Sequence, residues 1–548
     1  MENFRIIIFI LAVLISLSAL IEKIKIPNPV FLVIAGFAIG FIPALPDLVL
    51  DPDVIFLVFL PPLLYDAAFR TSWHEFKADI RPISALAVSL VFFTILAVAV
   101  SAHYFIPGFS WPLSFLLGAI ISPPDAVAAT SMIKGLGLNK RVITILEGES
   151  LVNDASALIA YRYALAAVTT GSFVFWQAGL QFLVVAGGGI LIGIAVGYIL
   201  VFAHKRVNNN AVVETSLTLL TPFLSYLTAE QVHVSGILAV VSTGLLISWR
   251  SPEIFSYQTR IQTKVVWDTL IFLLNGFVFI LIGLQLPGIL KQLHNYTWVQ
   301  LISYGIVISL VTIMVRIVWI FAGTWSAKLF KDKKNMQNAV THRKDDEINW
   351  KNVLIISWTG TRGILSLAAA LALPLSLNKG NIFPQRPLIL FLCFVVIFIT
   401  LVVQGLSLPL LVRVLKVKPV SNEDKEAKEL QLYIINNTIH FIDDEFSSWQ
   451  QASFKEKLKK KYETIARTLT KEISTHRINE RKDEQLPVVI VTPMMNAEIE
   501  IGKFQRELLL SIHKKGTFTD AAIKEAERNM DIDDLKLNQL QPKENRDQ

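Results

Sequence analysis

Charged residues and cysteines are both scarce in this chain. Only 17% of its 548 residues are charged and 53% are hydrophobic, whereas soluble proteins average about 25% charged residues. A lone cysteine, Cys393, excludes an internal disulfide and any zinc site built on several cysteines. No Gly-x-x-x-x-Gly-Lys-Ser/Thr phosphate loop occurs, so nothing indicates nucleotide hydrolysis. The net charge of +7 does not indicate a nucleic-acid partner, because the basic residues are spread over short loops.

Long apolar stretches fill the first three quarters of the chain. A membrane-spanning helix needs about 20 mostly apolar residues. Met1–Leu20 resembles a signal peptide, but its basic region is weak and many spans follow, so we interpret it as the first span. The predicted fold class is an all-α polytopic membrane protein with about 13 transmembrane helices, although 212–249 leaves the count open. The candidate spans are 4–22, 28–46, 54–69, 82–104, 111–133, 142–169, 173–203, 212–228, 233–249, 264–286, 297–327, 353–377 and 386–415.

Loop charges predict how the spans are oriented, because cytoplasmic loops carry an excess of Lys and Arg. With the N-terminus outside, most basic loop residues face the cytoplasm. The outer side then holds only Arg5, Lys291, Lys379 and Arg386. An odd number of spans leaves the C-terminus inside. We therefore expect a multi-pass protein of the cytoplasmic membrane.

The composition changes near residue 416, which predicts a membrane domain over 1–416 and a mostly helical cytoplasmic regulatory tail over 417–548. Helical spacing of apolar residues in the tail indicates a face that packs on something. A run of lysines has two interpretations, binding of anionic lipid or a solvated helix face. The predicted helices are Glu423–Glu429, Lys455–Lys471 and Phe504–Asn529, the apolar face is Phe504, Leu508, Leu509 and Ile512, and the lysine run is Lys457–Lys461.

Two aspartates fall inside predicted spans. Asp125 lies about 21 Å from the outer end of the fifth span and Asp154 about 18 Å from the inner end of the sixth, in a core about 30 Å thick. Both are therefore near the midplane, where carboxylates are costly and mark ion or proton pathways. Two such charges repel, so at least one holds a proton unless a cation is bound. The pair predicts exchange of H⁺ for a metal ion; the alternative is a structural contact between helices.

Proline and glycine predict two interrupted helices. Pro123 and Pro124 remove two backbone donors in mid-span, and the freed carbonyl groups need partners in protein, water or an ion. Ser122 adds a hydroxyl at this break. Gly360 and Gly363 indicate either close helix approach or a second unwound segment in the twelfth span. The fifth and twelfth spans are each central in a triplet of spans, and the triplets start in opposite orientations, as inverted repeats require.

Polar residues of the sixth span occupy adjacent strips of one helix. Glu149 lies over Asn153, and Ser150 lies over Asp154. Ser150 and Asp154 can offer oxygen ligands to a hard cation. Arg362, near the middle of the twelfth span, needs a buried partner, and we predict Glu149. This pair is expected to hold the architecture of the site rather than to carry ions.

Other polar residues within the spans have less specific interpretations. Asp66 follows a Leu-Pro-Pro-Leu-Leu-Tyr segment and is either a further carboxylate near the site or a charge at a helix end. Glu214, Asp268, Asn275 and Arg316 are predicted to make polar contacts between helices.

At these motifs, residues 1–416 resemble the monovalent cation/proton antiporters of the NhaP and NHE type. Residues 122–128 resemble the family's Ser-Pro-Thr-Asp-Pro-Val-Ala break, and 147–154 resemble its Glu-Gly-Glu-Ser-x-x-Asn-Asp signature. Residues 358–363 are similar to its Trp-x-Gly-x-Arg-Gly motif, and 60–66 to its Leu-Pro-Pro-Leu-Leu-Phe-Glu segment.

The sequence departs from the family pattern at three places. Pro124 stands where the family has threonine, which removes a side-chain oxygen. Ala126 replaces the second proline, and Asp66 is one methylene shorter than the usual glutamate. Each change bears on cation preference.

The resemblance implies a homodimer in which a six-helix core with crossed broken helices carries the ion in an elevator motion. Asn153 stands where electrogenic relatives have a second aspartate, which implies electroneutral exchange of one H⁺ for one cation. No cofactor is implied beyond the transported Na⁺ and H⁺. The implied cation ligands are Asp154, Asp125 and Ser150 for Na⁺, with Asp66 as a further ligand, and the implied structural pair is Glu149 with Arg362.

Three functions follow as hypotheses. The first is an antiporter that exchanges Na⁺, or Li⁺ or K⁺, for H⁺ across the cytoplasmic membrane. The second is a K⁺/H⁺ antiporter gated by the tail, whose ligand the sequence does not predict. The third is a cation channel, although no segment resembles a selectivity filter.

Overall fold

The computed structural model describes eleven stretches of the chain, and they contain helices but no extended β-strand. These residues form two compact units, one within 1–250 and 262–419 and the other within 251–261 and 420–548. The described stretches are 2–21, 28–42, 57–125, 140–171, 175–207, 210–329, 350–376, 383–416, 422–445, 452–475 and 492–540.

Helices fill the described part of the first unit, and each predicted span overlaps at least one of them. Two of these helices, α10 and α11, also reach into residues 251–261 of the second unit. In chain order they are α1 (Glu2–Ile21), α2 (Asn28–Gly40), α3 (Leu60–Arg70), α4 (Trp73–Ala78), α5 (Ile80–Phe105), α6 (Trp111–Ile121), α7 (Lys140–Thr170), α8 (Phe175–Arg206), α9 (Ala211–Gln231), α10 (Gly236–Ile254), α11 (Tyr257–Leu290), α12 (Trp298–Leu329), α13 (Trp350–Trp358), α14 (Ile364–Leu371) and α15 (Arg386–Val414).

The apolar helices confirm an all-α polytopic membrane fold. Within the described residues, five helices are long and apolar enough to cross a membrane, namely α5, α8, α11, α12 and α15. Shorter apolar helices cover Ile7–Ala19, Asn28–Gly40 and Trp111–Ile121. The number of 13 spans stays a prediction, since length and composition alone identify only these five.

Helix α6 packs closely on α5 because Gly118 has no side chain. A Cβ at this position would lie 2.6 Å from the backbone oxygen of Ile95. Small residues of this kind let the backbones of membrane helices approach each other. The contact fixes α6, whose C-terminal end leads directly to the predicted break.

Both predicted interruptions are present. Helix α6 ends at Ile121, and residues 122–125 are not helical, as expected where two prolines remove backbone donors. Helix α13 ends at Trp358, a non-helical segment covers 359–363, and α14 begins at Ile364. The rest of the predicted fifth span, 126–133, lies outside the described residues.

The second unit contains the four tail helices and residues 251–261. Apolar residues from three of the helices form one core, which includes Leu430, Leu509 and Ile523. A second core joins Ile442 and Leu458 to residues of the third helix. The helices are α16 (Asn422–Glu445), α17 (Ala452–Thr475), α18 (Thr492–Lys515) and α19 (Asp520–Leu540).

The first two tail helices extend beyond their predicted bounds, and the last predicted helix is divided. The predicted helix Phe504–Asn529 is two helices, because the chain turns at Gly516, whose φ is +62°. Its N–H donates to the oxygen of Ile512 at 3.0 Å, a common way for a helix to end. The predicted apolar face does pack, since Leu509 and Ile512 are core residues and Leu508 lies against them.

Candidate cation site

The two interrupted helices meet at their non-helical segments. The N–H of Asp125 donates to the carbonyl oxygen of Thr361 at 2.7 Å. In return, the hydroxyl of Thr361 donates to the carbonyl oxygen of Asp125 at 3.0 Å. Backbone groups left unpaired by one break are thus satisfied by the other, which is the requirement that a membrane interior imposes.

Arg362 lies at this crossing and binds carbonyl oxygens rather than a carboxylate. Its Nε donates to the oxygen of Ile121 at 2.7 Å, and Nη1 donates to that of Gly360 at 2.6 Å. The residue is 2% exposed. A cation at the C-terminal end of α6 complements the negative end of the helix dipole. Arg362 therefore ties the end of α6 to the second break.

The prediction that Glu149 pairs with Arg362 is wrong. Glu149 pairs with Arg316 of α12, whose Nη2 donates to Oε2 at 2.8 Å, and both side chains are 2% exposed. The same Nη2 donates to the oxygen of Ile356 at 3.2 Å. A single-sequence pattern gives depth in the membrane but not which helices face each other, so it could not choose between two arginines. The sequence had marked Arg316 only as a residue that contacts another helix, and this was the one sign that it could pair with Glu149.

A small cavity opens beside the crossing and brings together three predicted cation ligands, Asp125, Ser150 and Asp154. Its volume is about 60 Å³, enough for an ion with a few waters, since one water needs about 10–15 Å³. Sites for organic ligands are typically about 300–1,000 Å³. The cavity is lined by Leu60, Leu63, Leu64, Ala67, Pro123, Pro124, Asp125, Ser150, Leu151, Asp154, Asn275, Gly363, Leu365 and Ser366.

Glycine at position 363 allows the second break to approach the first. A Cβ there would collide with the carboxylate of Asp125. At Gly360, a Cβ would collide with the side chain of Arg316. The two glycines thus permit the close approach that the sequence indicated.

Asn153 and Ser122 stabilise the first break from two sides. Asn153 is fully buried, and its Nδ2 donates to the carbonyl oxygen of Pro124 at 3.2 Å. The hydroxyl of Ser122 donates to the oxygen of Ala119 at 3.2 Å. Asn153 therefore holds α7 against the break while its neighbour Asp154 lines the cavity.

Asp66 is the one predicted ligand that the structure does not bring to the cavity wall. The wall residues of α3 are Leu60, Leu63, Leu64 and Ala67, which share one helix face, and Asp66 lies off that face. Its carboxylate accepts from Nε of Arg70 at 2.8 Å. Nη2 of Arg70 also donates to Asp268 at 2.6 Å.

Sequence reasoning missed two wall residues. Asn275, on α11, was predicted only as a contact between helices, and Ser366, on α14, was given no role. Both line the cavity with the aspartates. The position of Ser366 three residues after Gly363 was a usable signal, because the first turn beyond a break adjoins it.

Two interrupted helices that meet beside a small cavity lined by two carboxylates are typical of the ion sites of secondary transporters. The chain belongs to the sodium/hydrogen exchanger family: the sequence profile described as "Sodium/hydrogen exchanger, transmembrane" matches residues 8–414. This is a family of transporters, not of enzymes.

Relatives extend the comparison. The chain is 33% identical over 425 residues to the sodium, potassium, lithium and rubidium/H⁺ antiporter of Bacillus pumilus, covering 75% of this chain and 61% of that one. It is 30% identical over 550 residues to an uncharacterised Na⁺/H⁺ exchanger of Mycobacterium bovis, covering 97% and 96%. The sodium proton antiporter MjNhaP1 of Methanocaldococcus jannaschii has the same fold, with a TM-score of 0.58 at 20% identity over 75% of this chain and 99% of that one.

Proposed function

We propose that the protein exchanges Na⁺, and also Li⁺ or K⁺, for H⁺ across the cytoplasmic membrane. One observation carries the proposal: Asp125, Ser150 and Asp154 line a single cavity of about 60 Å³ beside two crossed helix breaks. Carboxylate and hydroxyl oxygens are the ligands that hard cations prefer. Two carboxylates on one small cavity repel unless a proton or a metal ion lies between them. Occupancy by H⁺ and by M⁺ is therefore mutually exclusive, which couples the two fluxes.

The finer features of this proposal come from the family resemblance and, for the orientation of the termini, from the loop charges. The transport cycle is an elevator motion of the crossed helices within a homodimer, with the N-terminus outside and the C-terminus in the cytoplasm. Exchange is electroneutral, since Asn153 supplies no second charge beside Asp154. Its amide instead donates to the carbonyl oxygen of Pro124.

Flux in proteoliposomes tests the function. Na⁺, Li⁺ and K⁺ are compared as drivers of proton movement, with the membrane potential clamped at two values. Electroneutral antiport gives cation-dependent proton flux that is the same at both potentials. Currents without coupled proton movement would support a channel and contradict the proposal.

A K⁺/H⁺ antiporter gated by the tail is the second candidate. The Bacillus pumilus relative is named for potassium as well as sodium. Residues 251–261, which include the end of α10 and the start of α11, belong to the same compact unit as the tail. Within it, Nε of Arg260 donates to Asp531 at 2.9 Å. A regulatory role for 417–548 predicts that Arg260→Gln changes the pH dependence of K⁺ flux, while unchanged K⁺ flux at every pH contradicts it.

A further inference from the structure

Two neutral oxygens line the cavity without a hydrogen-bond partner. They are Oγ of Ser366 and Oδ1 of Asn275, both shielded from solvent and unpaired with any described residue. Ser366 as a whole is 1% exposed. Buried polar atoms in native proteins are nearly always paired, so an unpaired one requires an explanation. Two on the wall of one cavity point to a shared ligand.

The chemistry of that ligand follows from the rest of the wall. The remaining polar groups of the cavity are Asp125, Ser150 and Asp154, all oxygen donors. An amide oxygen accepts but does not donate, which excludes a ligand that needs a hydrogen bond from Asn275 through Oδ1. A hard metal cation accepts electron density from carboxylate, hydroxyl and amide oxygens alike.

We propose that Ser366 and Asn275 supply two further oxygen ligands to the transported cation. This inference rests on the proposed function and concerns which alkali cation the site prefers. The proton competes with the metal cation at the carboxylates, because these are the only groups among the five polar wall residues that change protonation state. Hydroxyl and amide oxygens add coordination without adding charge. They therefore select among alkali ions by ligand number and spacing, the properties that separate hard cations of different size.

The two residues approach the cavity from different parts of the first unit. Ser366 lies on α14, just beyond the second break, so it is fixed to the crossing that carries Asp125. Asn275 lies near the middle of α11, an uninterrupted helix of 34 residues. The ligand set therefore includes one neutral oxygen from the broken helices and one from an intact helix.

Substitution with matched apolar residues tests the proposal. Ser366→Ala removes the hydroxyl, and Asn275→Leu removes the amide at similar volume. The apparent KM of cation-driven proton flux is measured in proteoliposomes for Na⁺, Li⁺ and K⁺, with the maximal rate at saturating cation. Each variant is expected to raise KM by about tenfold, unequally for the three ions, with little change in maximal rate.

Three comparisons make the result decisive. Ser309→Ala removes a buried hydroxyl on α12 that donates to the oxygen of Gly305, and it should leave all three KM values unchanged. Ser366→Cys nearly keeps the side-chain volume but replaces oxygen with sulfur, a poor ligand for hard cations, and should behave like Ser366→Ala. Stabilisation of the purified protein against heat by each cation gives a binding readout without transport.

The outcomes separate the two proposals. If the wild type shows no cation-driven proton flux, the proposed function itself fails. If the wild type exchanges ions but the Ser366 and Asn275 variants keep its ratios of KM among Na⁺, Li⁺ and K⁺, only this inference is overturned. A lower maximal rate at unchanged KM, or unchanged heat stabilisation by the cations, would equally show a structural role and overturn it.

Discussion

One ion pair of the first unit and one of the second differ sharply in burial. In the first unit, Glu149 and Arg316 are each 2% exposed. In the second, Lys459 and Asp443 pair at 2.6 Å with 34% and 37% of their side chains exposed. A buried pair is surrounded by low dielectric and cannot exchange its partner for water, whereas an exposed pair is screened and contributes little. The comparison teaches that burial, not the presence of a pair, decides what a charge does here.

The ion pairs of the tail help to decide between the two interpretations of its lysine run. Its lysine run was compatible with lipid binding or with a solvated helix face. Lys459 pairs with Asp443, and Lys461 pairs with Glu498 at 2.6 Å. Part of the run's charge is therefore already neutralised by carboxylates of the same unit, which favours the solvated face.

Breaking the buried pair should have the largest effect on stability. Arg316→Met leaves Glu149 as an uncompensated buried charge, which should lower the free energy of unfolding by about 3–5 kcal/mol. Thermal melting of the purified protein measures this loss. The double variant Glu149→Leu/Arg316→Met removes both charges and should recover most of it. A single variant that melts like the wild type would contradict the account of this pair.

Crowding the crossing should come next. In Gly363→Ala the new Cβ collides with the Asp125 carboxylate, and misplacing a functional group by about 1 Å can reduce a rate about a hundredfold. Cation-driven proton flux should fall to that extent while the protein still folds. Gly187→Ala is the matched control, because apart from the backbone of its own helix no atom lies within 4 Å of its added Cβ. Equal flux from both variants would show that the approach of the two breaks is not needed.

The pH dependence of the tail should show a smaller effect. Burial raises the pKa of Glu527 above its ordinary 4.5, although Arg260 acts in the opposite direction. The folded tail then binds more protons than the unfolded chain between these two values, so its stability is fullest below the ordinary pKa and falls as pH rises through the raised one.

Hydrogen exchange of α19 in the full chain, corrected for intrinsic rates, measures this dependence below and above the carboxyl range. Glu527→Gln should flatten it, whereas Glu525→Gln, at an exposed position of the same helix, should not. If the tail became more stable as pH rises through this range, the account of Glu527 would be contradicted.

The exposed pair should have the smallest effect. Lys459→Ala removes the partner of Asp443 at the surface, where screening by solvent leaves little to lose. No measurable change in melting temperature is expected, at low or high salt. A decrease as large as that of Arg316→Met would abolish the distinction between the buried pair and the exposed pair.

Local chemistry made part of the site predictable from sequence. Pro123 and Pro124 cannot continue a helix whatever surrounds them, and an aspartate beside such a break has few alternatives to ion chemistry. The shared cavity of Asp125 and Asp154 was predicted from their similar depth in the membrane, whereas the crossing of the two broken helices was implied only by the family resemblance.

The predictions that failed concerned side chains whose positions depend on how each helix is rotated about its axis. Arg316 and Arg362 are both buried arginines of the spans, and only the packed structure shows that Arg316 faces Glu149. The position of Asp66 was within reach, because the spacing of Leu60, Leu63, Leu64 and Ala67 defines a face that excludes it. Ser366 required knowledge of which turn adjoins the cavity.

The central claim is that H⁺ and a metal cation take turns at the carboxylate of Asp154. Proton flux driven by Na⁺, Li⁺ or K⁺ in proteoliposomes, compared between the wild type and Asp154→Asn, tests it most directly, with the exposed tail substitution Glu500→Gln as control. We expect the Asp154 variant to fold and to lose all cation-dependent proton flux, while the control keeps it. Exchange at the wild-type rate by Asp154→Asn would contradict the account.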